Sequence, residues 1–227
     1  MKSLFNCILV VCIIGLVYVC YGSIVGPINF DKEQELRENA IKARLIDIRK
    51  AQVEFRNLNG AYTASFDTLI DFVKNGKLPF VKKEGSLTDA QLENGMTEKK
   101  AIKMIEKAKK TGNWSEVKKN GLENFSRDTI WVAVTDTIFK KGFNADSLRF
   151  VPFGGNAQFE MATRNDTTKS GAPLRLFQAQ TPYETYLSDL NHQLLVNLKD
   201  VRTKLGKYCG LRVGDIEQPN NNAGNWE

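Results

Sequence analysis

The chain has a single histidine, His192, and only one cysteine, Cys209, beyond its first thirty residues. A serine or cysteine nucleophile needs a base. That duty falls to His192 alone, and no serine stands in a Gly-x-Ser-x-Gly elbow. His192 has polar neighbours and neither a second histidine nor a nearby cysteine with which to share a metal, so it is read as solvent-facing. Cys209, beside Gly210, is read as a small buried residue, and no intrachain disulfide forms in the folded part, which must stand on its core. No Asp-x-Asp-x-Asp-Gly spacing occurs, and Asn165, Asp166 and Asp146 are read as turn-forming polar residues rather than calcium ligands. Gly154-Gly155 follows a strand-like run but opens no helix, which removes a phosphate-cradling loop. No catalytic residue, metal site or cofactor is expected. Asn113, Asn124 and Asn165 begin glycosylation acceptor triplets, which matter only in a eukaryotic secretory pathway.

Charge is also missing, between Lys2 and Asp31. The apolar run from Leu4 to Ile28 is long enough to cross a hydrocarbon core of roughly 30 Å, for which about 20 apolar residues suffice. Residues 1–30 are therefore expected to form a transmembrane anchor and residues 31–227 one α+β domain. Gly22 and Ser23 are small, which keeps a cleaved signal peptide open. The run continues through Ile24 and Val25, longer than an ordinary signal core, so the segment is read as retained. Val19 and Tyr18 before Cys20 do not fit a lipidation signal. The positive-inside count, with Lys32, Arg37, Lys42 and Arg44 behind the run, favours a cytoplasmic domain. Those cations are interleaved with Glu33, Glu35, Glu38 and Asp47, and the orientation adopted is a periplasmic domain on the inner membrane.

Behind the run, Ile41, Leu45, Ile48, Gln52 and Phe55 recur at steps of four and three, with Ala40, Ala43, Ala51 and Leu58 beside them. That spacing predicts a helix with one sticky face. Glu35, Glu38, Lys42, Asp47, Arg49, Lys50, Glu54 and Arg56 are expected on a solvated side, and Asn59-Gly60 at the stop. Ser65–Lys74 reads as a second helix with Phe66, Leu69, Ile70, Phe72 and Val73 inward, closed by Gly76 and Pro79.

The stretch Ile48-Arg49-Lys50-Ala51-Gln52-Val53-Glu54-Phe55-Arg56-Asn57-Leu58-Asn59-Gly60-Ala61-Tyr62, following an apolar run and followed by Phe66-Asp67-Thr68-Leu69, resembles the amino-terminal part of type IV pilins and type II secretion pseudopilins. The resemblance covers about residues 4 to 75. It implies a membrane helix continuing as an amphipathic one, packed on a small antiparallel sheet. It also implies a structural role among other subunits of an envelope complex, including copies of itself. The chain departs from that family at Met1-Lys2-Ser3-Leu4-Phe5-Asn6, which has no processing glycine, and no glutamate precedes Glu33. Pro27 only loosely echoes the family's helix-bending proline.

Net charge is +6, and residues 82–119 hold ten lysines against six acids, so +4 of it is local. This segment, 82–120, is expected to be a helical insertion: a capping box at Thr88-Asp89-Ala90-Gln91, a stop at Gly95, and a helix from Thr97-Glu98 to Lys110 before Gly112. Ala101, Ile102, Ile105 and Ala108 form its apolar stripe. Lys99, Lys100, Lys103, Lys107, Lys109 and Lys110 cover the rest, either as a solvated face or as a patch for anionic lipid, DNA or an acidic partner. Only Trp114 supplies an aromatic nearby, so nucleic acid is the weaker partner. Thr129–Thr135 is expected to be a central strand. Leu148–Phe153 and Ala157–Thr163 are expected to form a hairpin about Gly154-Gly155-Asn156, and Leu174–Ala179 a further strand after a turn from Arg164 to Gly171. Leu187, Leu190, Leu194, Leu198, Val201 and Leu205 fall at helical spacing, Cys209–Ile216 reads as an edge strand, and Gln218–Glu227 as a loose or surface-laid tail.

Overall fold

The computed structural model describes residues 2–140, 142–168 and 170–227, without the side chains of residues 2–5, 7 and 8. The side chains of Leu4 and Cys7, and Lys169 in the expected 164–171 turn, lie outside the described set. The chain is α+β and forms two compact units, Met1–Val73 with Gly142–Glu227, and Lys74–Lys141.

In the first unit, helix α1, Lys2–Asn59, is unbroken and passes through Pro27. It is long and apolar enough near its start to cross a membrane, and among the described residues nothing in the unit covers that half: Val11 is 69% and Tyr18 79% exposed. The second half is the core element. Ile41, Leu45, Ile48, Ala51 and Gln52 are fully buried, as their spacing demands. Phe55 is half-buried, edge-on to Phe72 at 5.2 Å, while Leu58 is exposed. Glu38, expected on the solvated side, is buried instead. It accepts from Gln34 at 2.7 Å and pairs with Lys42 at 3.2 Å, so its charge is met from its own helix. The helix stops where Gly60 turns left-handed at φ +79° and its N–H reaches Arg56 O at 2.7 Å.

Gln52 explains its place in an apolar stripe. Its amide donates to Thr63 O at 2.6 Å and accepts from Thr63 N at 3.2 Å, satisfying the backbone just after the helix, and it also donates to Met161 Sδ. Tyr62 lies against Phe177 at 4.9 Å, and its hydroxyl accepts from Arg56 and Asn222, both at 2.9 Å. Helix α2, Phe66–Asn75, buries Leu69, Ile70, Phe72 and Val73, as expected.

Helix α1 packs on a three-stranded antiparallel sheet of β3, Glu160–Thr167, β4, Pro173–Pro182, and β5, Gly210–Gly214, in the order β3-β4-β5. The central strand is therefore β4, whose Leu176, Phe177, Gln178 and Ala179 are all buried. β5 falls within the expected edge strand at 209–216. The tail is surface-laid but not loose. Gly224 bridges Val213, Asn225 Nδ2 donates to Gly210 O and its Oδ1 accepts from Arg212 N, and Arg49 pairs with Glu227 at 2.7 Å.

Two expectations in this unit are corrected. The 148–163 hairpin is only a tight turn. Asn144 caps a 3-10 turn at Ala145–Arg149, a lone bridge joins Phe150 to Gln158, and β3 starts later and runs to Thr167. The stripe from Leu187 to Leu205 is not one helix but two, α7, Tyr183–Leu187, and α8, His192–Lys204. Asn191 Oδ1 accepts from Leu194 N at 3.2 Å and starts α8 afresh, turning Leu195 inward and leaving Val201 55% and Leu205 63% exposed.

The second unit is a two-stranded ribbon carrying a small helical cluster. β1, Lys77–Glu84, pairs antiparallel with β2, Ser126–Ala133, from Lys77↔Ala133 to Glu84↔Ser126. Thr129–Ala133 is strand as expected, but it is not central: among the described residues β2 pairs with β1 alone, and Val134–Ile138 turns into helix α6. Between the strands lie α3, Asp89–Glu93, α4, Glu98–Thr111, and α5, Ser115–Lys119. The capping box at Thr88 and Gln91 forms, which fixes the start of α3.

Candidate functional site

The lysine-rich helix α4 is built by its ends. Thr97 Oγ1 accepts from Lys100 N at 3.3 Å, Gly112 closes the helix at φ +71° with its N–H on Ala108 O, and Glu98 at the start and Lys109 and Lys110 at the end suit the helix dipole. Ala101, Ile105 and Ala108 are buried against Val117, Leu122 and Phe125, with Ile102 at the margin. The expected apolar stripe is thus a real seam, and it docks α4 on α5 and the loop after it.

All six expected lysines are exposed, but they are not equivalent. Lys109 pairs with Asp128 at 3.0 Å, Lys107 with Glu116 at 3.5 Å, and Lys100 Nζ caps Gly95 O at 2.8 Å. Lys99, Lys103 and Lys110 make no ion pair or hydrogen bond among the described residues. At 100° per residue these three fall on one line opposite the buried seam, with Glu106 on the same line. The available cationic face is therefore narrower than the sequence suggests.

Arg127 holds this unit together. Its side chain is 6% exposed, lies over the Phe125 ring at 4.0 Å, and donates to the carbonyls of Glu84, Gly85 and Ser126 and to Glu98 Oε1 at 2.9 Å. It keeps the Glu98 carboxyl below the usual glutamate range, and the bonds from Ser126 and Lys109 do the same for Asp128. On the ribbon beside them, Phe80 and Trp131 are each 59% exposed, Val81 46% and Ile130 43%. By register Phe80 and Ile130 share one face, and Pro79, Val81 and Trp131 the other.

In the first unit Arg37 joins distant elements. Arg37, 10% exposed, donates to Tyr186 O at 2.7 Å and to both oxygens of Asp189 at 2.5 and 2.8 Å, fixing the turn before α8 to α1. Its guanidinium holds the Asp189 carboxyl below its ordinary value. Burial pushes the Tyr183 and Tyr186 hydroxyls up, so both stay protonated at any physiological pH. His192 is exposed at the start of α8. Cys209 is half-buried, its Sγ 3.3 Å from Thr203 Oγ1 and 3.6 Å from Lys199 O. Lys199, against which Cys209 lies, stands about 10 Å along the helix from His192, so His192 and Cys209 are not paired. Among the described residues no group of three or more His, Cys, Asp or Glu side chains is arranged to hold a metal.

One feature escaped the sequence reading: an apolar groove lined by Phe30, Asp31 and Gln34 of α1 and by Leu194, Asn197, Leu198 and Val201 of α8. Its signal was present in the stripe 194, 198, 201, but that stripe reads equally well as core. Comparison of this chain with protein-family models, with curated proteins and with solved structures finds no match.

Proposed function

We propose that this chain is a single-pass, non-catalytic component of a bacterial envelope apparatus, of the secretion or pilus-like kind, with its carboxyl domain in the periplasm. The observation that carries the reading is the continuity of α1, whose exposed apolar half and buried core half are one helix. A helix whose first half is apolar on all sides needs a cover that the unit does not provide, and a bilayer is the cover that fits about thirty uncharged residues. The domain is then built on the end of its own anchor, an arrangement suited to holding a surface at a fixed place beside a membrane. Gly15 and Gly22 have open surroundings, which suits close lateral packing with other helices, including those of further copies. The resemblance to pilins and pseudopilins at residues 48–62 supports the same reading. Alkaline extraction of membranes tests it: the chain stays in the pellet, and the mass of the pelleted protein includes residues 4–28. Release into the supernatant, or a mass lacking that segment, overturns the anchor.

A second reading is favoured by charge. Residues 74–141 hold 15 Lys and Arg against 9 Asp and Glu, which accounts for the whole +6 of the chain. On this reading the unit binds DNA or another anionic polymer near the membrane through Lys99, Lys103 and Lys110. Retention on heparin that falls steeply between about 50 and 200 mM salt, and falls further short in a variant with these three changed to Gln, supports it. No retention at low salt removes it.

A further inference from the structure

The groove between α1 and α8 lies at one particular height on α1. Phe30 is the last residue of the uncharged stretch and Asp31 the first charged one, so the α1 wall of the groove begins at the boundary between apolar and polar sequence. The direction of α8 follows from two contacts. Just before α8, Tyr186 O and Asp189 are held by Arg37, whereas residues within α8 line the groove with Phe30, Asp31 and Gln34. The chain therefore passes from the level of Arg37 back to the level of Phe30 as it runs from Asp189 into α8. Phe30 to Arg37 and Leu194 to Val201 are each seven residue steps, about 10 Å of helix. Helix α8 thus leads from the level of Arg37 back toward that of Phe30, so its carboxyl end lies on the side of the apolar segment.

The side chains at this end match that position. Leu194, Leu198, Val201 and Leu205 lie within one sector of the helix, and exposure grows toward the carboxyl end: Leu194 and Leu198 are half-buried, Val201 is 55% and Leu205 63% exposed. Lys204 and Lys207 stand exposed beside them, Lys204 paired with Asp200 at 2.6 Å, while Arg202 is half-buried next to Tyr183. An apolar sector flanked by cations, beside the groove wall that begins at Phe30, has the composition of a helix end that lies in a lipid interface, with apolar groups at the acyl boundary and long basic chains reaching the headgroups.

We propose that the carboxyl end of α8 is an interfacial foot: Val201 and Leu205 insert at the boundary between headgroups and acyl chains of the bilayer that α1 enters, and Lys204 and Lys207 face its anionic headgroups. This rests on the reading of residues 4–28 as a span. The foot gives the domain a second attachment beside the helix, so that it stands against the membrane at a set tilt instead of pivoting about one rod.

The test uses the full chain with Cys7, Cys12, Cys20 and Cys209 replaced by Ala, reconstituted one copy per nanodisc of phosphatidylcholine and phosphatidylglycerol. Single cysteines at Ile14, Val196, Val201 and Leu205 carry a nitroxide, and power saturation compares access of oxygen, which favours lipid, with that of a water-soluble nickel chelate. The account expects an oxygen-to-nickel ratio at Val201 and Leu205 several-fold above that at Val196, which lies on another side of α8, with Ile14 highest. Lipid-like access at Ile14 with Val201 and Leu205 matching Val196 overturns the foot and leaves the span standing. Shielding of Val201 and Leu205 from both agents means that protein covers the groove, and overturns it too. Nickel access at Ile14 overturns the span and the foot together.

Discussion

Changing Arg37 to Met keeps the length and apolar stem of the side chain and removes its guanidinium. Two of its partners are carboxylates that face water, Asp189 at 63% and Glu33 at 43% side-chain exposure. Such pairs contribute about 0.2–1 kcal/mol each. The third partner differs. Tyr186 O is buried, and without Arg37 Nη1 at 2.7 Å it has no donor from this side chain; a lost bond from a charged donor to a buried acceptor costs about 1.5–3 kcal/mol. Arg37→Met is therefore expected to destabilise the first unit by about 2–5 kcal/mol, and Asp189→Asn by no more than about 1 kcal/mol, with a coupling between them of similar small size. Urea unfolding of the full chain in detergent reads this, with Trp114 and Trp131 changed to Phe so that Trp226 alone reports. The sign with pH is fixed by Asp189, whose folded value lies below the ordinary 3.8. Its contribution is present at all pH values above 3.8 and is lost as pH falls through the depressed folded value. The gap between wild type and Asp189→Asn is thus constant from neutral pH down to about 5 and closes below about 4. Equal losses for Arg37→Met and Asp189→Asn, or a gap that widens on acidification, refute the reasoning.

Other expectations follow from single contacts. Gln52→Leu keeps the packing of α1 but strips both groups of Thr63 of their partner, and is expected to cost about 1–3 kcal/mol in the same unfolding assay. Gly85 has φ +68°, and a Cβ there would stand 2.4 Å from Asn124 O, so Gly85→Ala is expected to weaken the second unit by about 1–3 kcal/mol while the Trp226 transition keeps its midpoint. Deleting residues 222–227 removes the Gly224 bridge to Val213 and both side-chain bonds of Asn225; it bares an edge of β5, and faster aggregation by light scattering is expected.

The local signals in the sequence carried far. The core face of α1, the stop at Gly60, the capping box at Thr88 and the limits of α4 each depend on residues within a turn or two of one another. Strand pairing depends on distant residues. β1 was hidden because Pro79 reads as a terminator, although a ribbon strand with one free edge accommodates proline. Thr129–Thr135 has the composition of a central strand, but its strand part, to Ala133, pairs among the described residues with β1 alone, while β4, with more polar residues, lies between two neighbours. The stripe from Leu187 to Leu205 keeps its phase across the break at Ser188–Asn191, so periodicity alone cannot show that a new cap begins at Asn191. The six lysines were visible as a group. Which of them are engaged was not, because Glu116 and Asp128, the partners of Lys107 and Lys109, come from other elements. The groove at Phe30 needs α8 to run back along α1, a fact of tertiary structure.

The side of the membrane on which the domain stands is the claim from which the rest of the functional account follows. Ser170 is exposed in the turn between β3 and β4, and with Cys209 replaced by Ala a cysteine at 170 reports on the folded domain. Intact cells with a permeabilised outer membrane are treated with a membrane-impermeant maleimide. Labelling at position 170 is the predicted result and places the domain in the periplasm. Protection until the inner membrane is broken contradicts it, puts the domain in the cytoplasm, and leaves the anionic-polymer reading of the lysine-rich unit in its place.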